Sequence, residues 1–245
     1  MNISDQLIKD AFAKGWHTCF YQPLVEPSLD TVKGVEVLFR LKTPSHGIVS
    51  PASFIERAFE LGFEQDIFQI VLSTALTEVT SLSYPCPVAI NVSYNVLDNE
   101  KTYESVRALL WDHSYPAHML TFELSESDDV TECSQALIDK YKALGIKISI
   151  DDFGAGYSNI NKLLALNVDE VKFDKNLINT NHQNGYALLK SILLFCKEMG
   201  IATVAEGVEN ADTRIYVRNL GFDQYQGFHF SKPVCFQELK TLVAA

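Results

Sequence analysis

Several kinds of protein are excluded by what this chain lacks. It has only five cysteines, an odd number, scattered singly at Cys19, Cys86, Cys133, Cys196 and Cys235 with no C-x-x-C spacing. That argues against a disulfide framework and fits buried thiols in a reducing compartment, so the expected location is the cytoplasm. Positive charge is scarce: 20 Lys and Arg face 31 Asp and Glu, for a net charge of −11. Phosphate backbones are held by clustered Lys and Arg, so no broad nucleic-acid surface and no DNA partner are expected. An anionic substrate would need its positive charge from another source. Uninterrupted apolar runs of the roughly 18 residues that a membrane helix needs are missing, and the richest stretch, 192–196, is flanked by Lys190 and Lys197. The first 14 residues carry Asp5, Lys9, Asp10 and Lys14 and show no signal-peptide core. No G-x-G-x-x-G follows any apolar run; Gly154-Ala155-Gly156 comes after Asp151-Asp152, where a dinucleotide site would have an apolar strand end. The six histidines show no metal-ligand spacing.

What is present is a 245-residue chain, 47% hydrophobic, enough for a sizeable core. Low-complexity stretches, linkers and short repeats are absent, and little chain lies outside the outermost elements, so a single stand-alone domain over 1–245 is expected. Short β-branched and aromatic runs recur at 17–22, 34–40, 87–92, 119–124, 146–151, 170–174, 202–206 and 223–228. Helical patterns separate them. Ser50-Pro51 reads as an N-cap with Pro at the first helical position, ahead of the stripe Phe54, Ile55, Ala58, Phe59 that stops near Gly62. Leu137, Ile138, Tyr141 and Leu144 precede Gly145, and Leu188, Ile192, Leu193, Cys196 and Met199 precede Gly200. Eight strands alternating with helices at this length favour a closed (β/α)8 barrel over an open sheet.

The polar residues that interrupt the apolar runs fall near the C-terminal ends of the strands: Gln22, Glu36, Asn91, Glu123 with Glu126, Asp151 with Asp152, Lys172, Glu206 with Glu209, and Gln226. In such a barrel that face carries the active site, with groups drawn from several strands. Converging carboxylates cannot all stay ionised in a partly dry site unless cations or protons intervene. Oxygen donors without His or Cys suit hard cations such as Mg²⁺ or Mn²⁺. The chemistry this suggests is metal-assisted attack on phosphate, with two ions about 3.5–4 Å apart clamping the substrate. Lys172, among the acids, is placed to steer water or stabilise charge on phosphorus. Alternation would send Asp151 and Asp152 to opposite faces, so the pair is expected where the strand gives way to the glycine-containing loop. Glu209 and Asp174 have a simpler reading as local caps or ion pairs, and Tyr225 and Phe228 either pack or stack on a base.

These residues come in an order that resembles one known family. Glu36-Val37-Leu38, Asn91-Val92-Ser93, Glu123-Leu124-Ser125-Glu126, Asp151-Asp152-Phe153-Gly154, Lys172-Phe173-Asp174, Ala205-Glu206-Gly207-Val208-Glu209 and Asp223-Gln224-Tyr225-Gln226-Gly227 follow the pattern of EAL-domain cyclic di-GMP phosphodiesterases. The resemblance implies a modified, TIM-like (β/α)8 barrel whose first strand is antiparallel to its neighbours, and hydrolysis of cyclic di-GMP to linear pGpG with two Mg²⁺ or Mn²⁺ ions. It implies that Glu36, Asn91, Glu123 and Asp151 hold one ion. Asp151 then bridges to a second, completed by Asp152, waters and Glu206. Lys172 and Gln226 would position the water, Glu206 would serve as a possible base, and Gln22, Arg40 and Glu36 would meet the substrate. Glu126 would anchor the loop from Phe153 that couples the site to a homodimer contact. The sequence departs from the family pattern at Val37 (for Ala), Ser125 (for Thr) and Leu41 (for Trp), none of them a ligand position. Two other readings stand beside this one: a catalytically weak receptor for cyclic di-GMP or a protein-contact partner, and a general phosphatase or sugar-processing barrel built on a Glu pair, which leaves the Asn, Lys and Asp-Asp set unexplained.

Overall fold

The computed structural model describes residues 3–28, 31–83, 85–125, 134–155, 160–179 and 183–243. Its strands are β1 (His17–Val25), β2 (Val32–Thr43), β3 (Gly47–Val49), β4 (Val88–Asn91), β5 (Leu120–Ser125), β6 (Lys147–Phe153), β7 (Glu170–Phe173), β8 (Ala202–Ala205), β9 (Gln224–Tyr225) and β10 (Val234–Cys235). All eight expected runs contain a strand; β3 and β10 are additional. From β2 through β4 to β9 each barrel strand lies parallel to the next, and β1 closes the ring antiparallel to both β2 and β9. This is the modified (β/α)8 barrel, one strand reversed. β3 extends β2 as a hairpin and β10 covers β1 near Phe20 and Tyr21.

Alternation along β2 sorts the side chains. Val35, Val37, Phe39 and Leu41 are buried in the outer core, leaving Glu36, Leu38 and Arg40 on the interior face. Both departures on this strand, Val37 and Leu41, therefore concern packing against helices. The helix Glu64–Thr80 meets that layer with Ile67, Phe68, Val71, Leu72, Ala75, Leu76 and Val79, a stripe of helical period.

Two local expectations need correction, and a third gains detail. Ser50 makes no side-chain cap; the 3₁₀ turn Pro51–Ser53 comes first and the α-helix starts at Ile55, because Pro51 fixes a tight turn. In the helix Gln183–Met199 the buried stripe is Leu189, Ile192, Leu193 and Cys196, whereas Leu188 and Met199 face solvent, one position off the barrel-facing line. The pair Asp151-Asp152 lies, as expected, at the end of its strand, just before Gly154, and escapes alternation through a bulge. β6 runs on to Phe153 through an irregularity between Ile150 and Phe153, with Asp152 at φ +55°. An extra bulged residue re-aims side chains that strict alternation would separate.

Candidate active site

The centre is Lys172, on β7 and only 1% exposed. Its Nζ lies 2.8 Å from Asp151, 2.9 Å from Glu206, 3.0 Å from Glu123 and 3.4 Å from Glu36, carboxylates from four other strands or strand ends. Burial works against its charge, but attraction to Asp151, Glu123, Glu206 and Glu36 outweighs it and holds the ammonium well above the ordinary lysine range. The acids respond in the opposite sense. Burial raises Glu123 well above its usual value against the pull of Lys172, with Glu36 and Asp151 adding repulsion. Burial likewise pushes Glu206 up to about 8 and raises Asp152, next to Asp151. One ammonium cannot neutralise so many carboxylates in a dry interior.

Neighbouring amides fix the geometry of Glu36. Asn91 Nδ2 donates to its Oε1 at 2.9 Å and Gln226 Nε2 to its Oε2 at 2.7 Å. The other Gln226 amide atom, Oε1, is buried without a hydrogen-bond partner among the described residues. The Lys172 ammonium meets Glu123 Oε1 and Asp151 Oδ1 at 3.0 and 2.8 Å, which leaves Glu123 Oε2 as the carboxylate oxygen with no partner among the described residues. A buried oxygen of that kind is costly unless a cation or a proton can be held beside it. Two triads can do so: Glu36, Glu123 and Asp151, and Asp151, Asp152 and Glu206, each with ligand atoms within 4.8 Å of one another. Asp151 belongs to both. The donors are hard oxygens, so the residues present fit a pair of divalent cations.

The register explains the convergence. Asn91 pairs with Glu123, and Ser125 with Asp151, across parallel strands. Glu206 follows β8 directly and its N–H donates to Phe173 O at 3.0 Å. Gln22 reaches the same level by a different route: β1 runs backwards, so it is not at a C-terminal end, and its partner across the ladder is Glu36.

A cleft of about 290 Å³ opens over Glu36, Glu206 and Gln226, and Gln22, Glu209 and Phe228 also line it. Glu209 sits at its rim in an exposed pair with Lys175, 3.3 Å away, and Asp174 caps the short helix Lys175–Ile178. Arg40 does not line this cleft; its Nη1 donates to Phe39 O and its guanidinium lies 5.7 Å from the Phe20 ring. Glu126 and the loop residues 156–159 lie outside the described residues. Sequence reasoning gave no site role to Lys175 or Gly207, whose signal is only their nearness to the Lys172 and Glu206 motifs. Tyr225 is fully buried and packs on Phe230, at 6.1 Å.

The family model for the EAL domain matches residues 5–233. The chain belongs to the EAL domain family. MucR of Pseudomonas aeruginosa, a bifunctional diguanylate cyclase/cyclic di-GMP phosphodiesterase, is 30% identical over 99% of this chain and 37% of its own length. The probable cyclic di-GMP phosphodiesterase PdeI of Escherichia coli is 28% identical over 94% of this chain and 30% of its length. The chain spans about a third of the length of the curated relatives it matches. The solved PaMucR phosphodiesterase, in complex with c-di-GMP, superposes with a TM-score of 0.86 at 30% identity, covering 96% of this EAL domain and 99% of that chain. Among the described residues no helix is long and apolar enough to cross a membrane.

Proposed function

We propose that this EAL domain is a cyclic di-GMP phosphodiesterase that opens the cyclic dinucleotide to linear pGpG. The observation that carries the reading is the pair of carboxylate triads sharing Asp151, with more carboxylates than the one Lys172 ammonium can neutralise and Glu123 Oε2 buried without a partner among the described residues. Membership of the EAL family and likeness to the PaMucR phosphodiesterase support the choice of substrate.

Glu36, Asn91, Glu123 and Asp151 would hold one Mg²⁺ or Mn²⁺ ion, and Asp151, Asp152 and Glu206 the other. Two such ions supply Lewis acidity at the scissile phosphate and lower the pKa of water. The chain's own groups orient and move protons. Asn91 and Gln226 keep Glu36 from swinging away, and Gln226 Oε1 is a free acceptor for the attacking water. The Lys172 ammonium, set among the four carboxylates, would donate to that water or to a phosphate oxygen. Glu206 would serve as the base for that water as a carboxylate, without the proton that burial favours on it in the metal-free fold. Gln22, which lines the cleft, and Arg40, which lies outside it, would meet the rest of the dinucleotide. A cytoplasmic location and a homodimer complete the proposal.

The decisive experiment incubates purified protein with cyclic di-GMP and Mg²⁺ or Mn²⁺ and resolves pGpG by chromatography, with Asp151→Asn as control. Metal-dependent pGpG that collapses in the variant is expected. Failure of turnover under both metals, with cyclic di-GMP still bound, would replace the enzyme by a receptor.

A further inference from the structure

Two lysines among the described residues are buried down to 1% exposure: Lys172 at the centre of the site, and Lys162. Lysine is almost never buried so completely unless its charge has partners. Lys162 lies on the short helix Ile160–Ala165, which follows β6 in the chain. Its Nζ donates to Ser125 O at the end of β5 and lies 5.6 Å from the centre of the Tyr94 ring, within cation–π range. Tyr94 opens the helix Tyr94–Leu97 just after Asn91, and Ser93 caps that helix with its hydroxyl, which accepts from Val96 N–H at 3.3 Å. One buried ammonium thus joins the chain beyond β4, β5 and β6, the strands that carry Asn91, Glu123 and the Asp151-Asp152 pair.

The point it grips is the one that regular pairing holds least. Ser125 lies across the ladder from Asp151, the carboxylate shared by both triads, and among the described residues that is the last pair between β5 and β6. On the opposite flank the ladder between β6 and β7 slips its register between Ile150 and Phe153, and Asp152 takes the left-handed backbone at φ +55°. Asp151 therefore stands where pairing ends on one side and is interrupted on the other. Cation ligands have to be held to within about 0.5 Å, which calls for a tie from outside the ladder.

We propose that Lys162 is a positioning residue for the cation pair: by tying Ser125 to the helix beyond the acid pair, it closes the strand ends around Asp151 into one unit before any cation arrives. This rests on the two-cation part of the phosphodiesterase reading and deepens it. The ammonium touches neither substrate nor ligand oxygen and does no chemistry; it lowers the ordering cost that cation binding otherwise has to meet. A lysine suits the task because its long stem reaches across elements and ends in a compact charge with rotatable donors, one for a carbonyl and a face for the ring. A methionine of similar length would fill the space and offer neither.

The test titrates Mn²⁺ into the chelator-stripped protein by calorimetry, without substrate, for wild type, Lys162→Met, Lys162→Gln and Leu163→Ala. Leu163, 3% exposed on the same helix, controls for general loosening of the fold. Lys162→Met is expected to weaken Mn²⁺ binding about ten- to a hundredfold, as losses behind a ligand commonly do. The Mn²⁺ concentration for half-maximal turnover of cyclic di-GMP should rise by the same factor, with turnover at saturating Mn²⁺ within about threefold of wild type. Lys162→Gln, which keeps a donor on a shorter arm, should fall between the two. Leu163→Ala is expected to lower the melting temperature at least as far as Lys162→Met while binding Mn²⁺ within about twofold of wild type. Three results overturn the inference and leave the phosphodiesterase reading intact: Mn²⁺ affinity within about twofold of wild type in the Lys162 variants that fold, an equal loss of affinity in Leu163→Ala, or failure of both Lys162 variants to fold. A wild type that binds Mn²⁺ in a Lys162-dependent way but forms no pGpG removes that reading and keeps the positioning role. A wild type that binds no Mn²⁺ removes both.

Discussion

With Lys172 gone, the carboxylates of Glu36, Glu123, Asp151 and Glu206 would face one another with no cation between them. Lys172→Met is therefore expected to destabilise the chelated protein by about 3–5 kcal/mol, the usual cost of removing one side of a buried ion pair. Mn²⁺ should recover more stability in this variant than in wild type, while turnover stays about 10²–10³ lower. Thermal melts with EDTA and with Mn²⁺ check the first point; a chelated variant that melts with wild type would contradict it. The pH dependence follows from the same acids. Glu206 titrates at about 8 in the fold, and Glu123 and Asp152 are also raised. A carboxyl with a raised folded pKa contributes stability that is complete below its unfolded value and disappears as pH climbs through the folded one. Between about 5 and 8 the melting temperature of the metal-free protein should thus fall with pH, and Glu206→Gln should flatten the slope. His17, lowered by burial, opposes this at the acid end of that window. With Mn²⁺ present the slope should reverse, because cations bind the deprotonated acids.

Among the elements, β6 carries the least regular and most consequential geometry. Its irregularity puts Asp152 at φ +55°, a region that Asp and Asn tolerate and β-branched residues do not. Asp152→Asn is expected to keep the wild-type melting temperature or exceed it, since a raised carboxyl disappears, while turnover drops about 100-fold or more. Asp152→Val should lose the same activity and also about 1–2 kcal/mol of stability. Equal melting temperatures for the two variants would show that the left-handed backbone is not required. The sequence disclosed that the acid pair must escape alternation, and the glycines beyond it suggested a loop. It did not disclose a bulge, because two adjacent acids look the same in an extended strand end and in a bulged one. The slip at Leu188 and Met199 has a similar origin: a helix rich in leucine offers two neighbouring stripes, and only the barrel surface beneath it chooses between them.

At the scale of the whole molecule, a net charge of −11 meets an anionic dinucleotide. The long-range field repels the substrate even though bound cations would attract it at contact. Raising ionic strength from about 0.01 to 0.15 M shortens the Debye length from about 30 to 8 Å. At saturating Mn²⁺ the KM for cyclic di-GMP is therefore expected to fall by about two- to threefold, the reverse of a basic nucleotide-binding surface. A KM that rises with salt would place a local cationic patch, such as Lys175 or Lys232, in control of encounter.

The amino-acid sequence by itself determined the eight barrel strands, the acidic strand ends and the family, because apolar period and ordered motifs are local properties of the chain. It also placed Lys172 among the acids. Only the tertiary structure decided that one ammonium touches four carboxylates, that Gln22 reaches the site from a reversed strand through its pairing with Glu36, and that Phe228 faces the cleft while Tyr225 is fully buried. Distance across a closed barrel depends on register, shear and bulges, which are settled jointly by all the strands and leave no mark on any one of them.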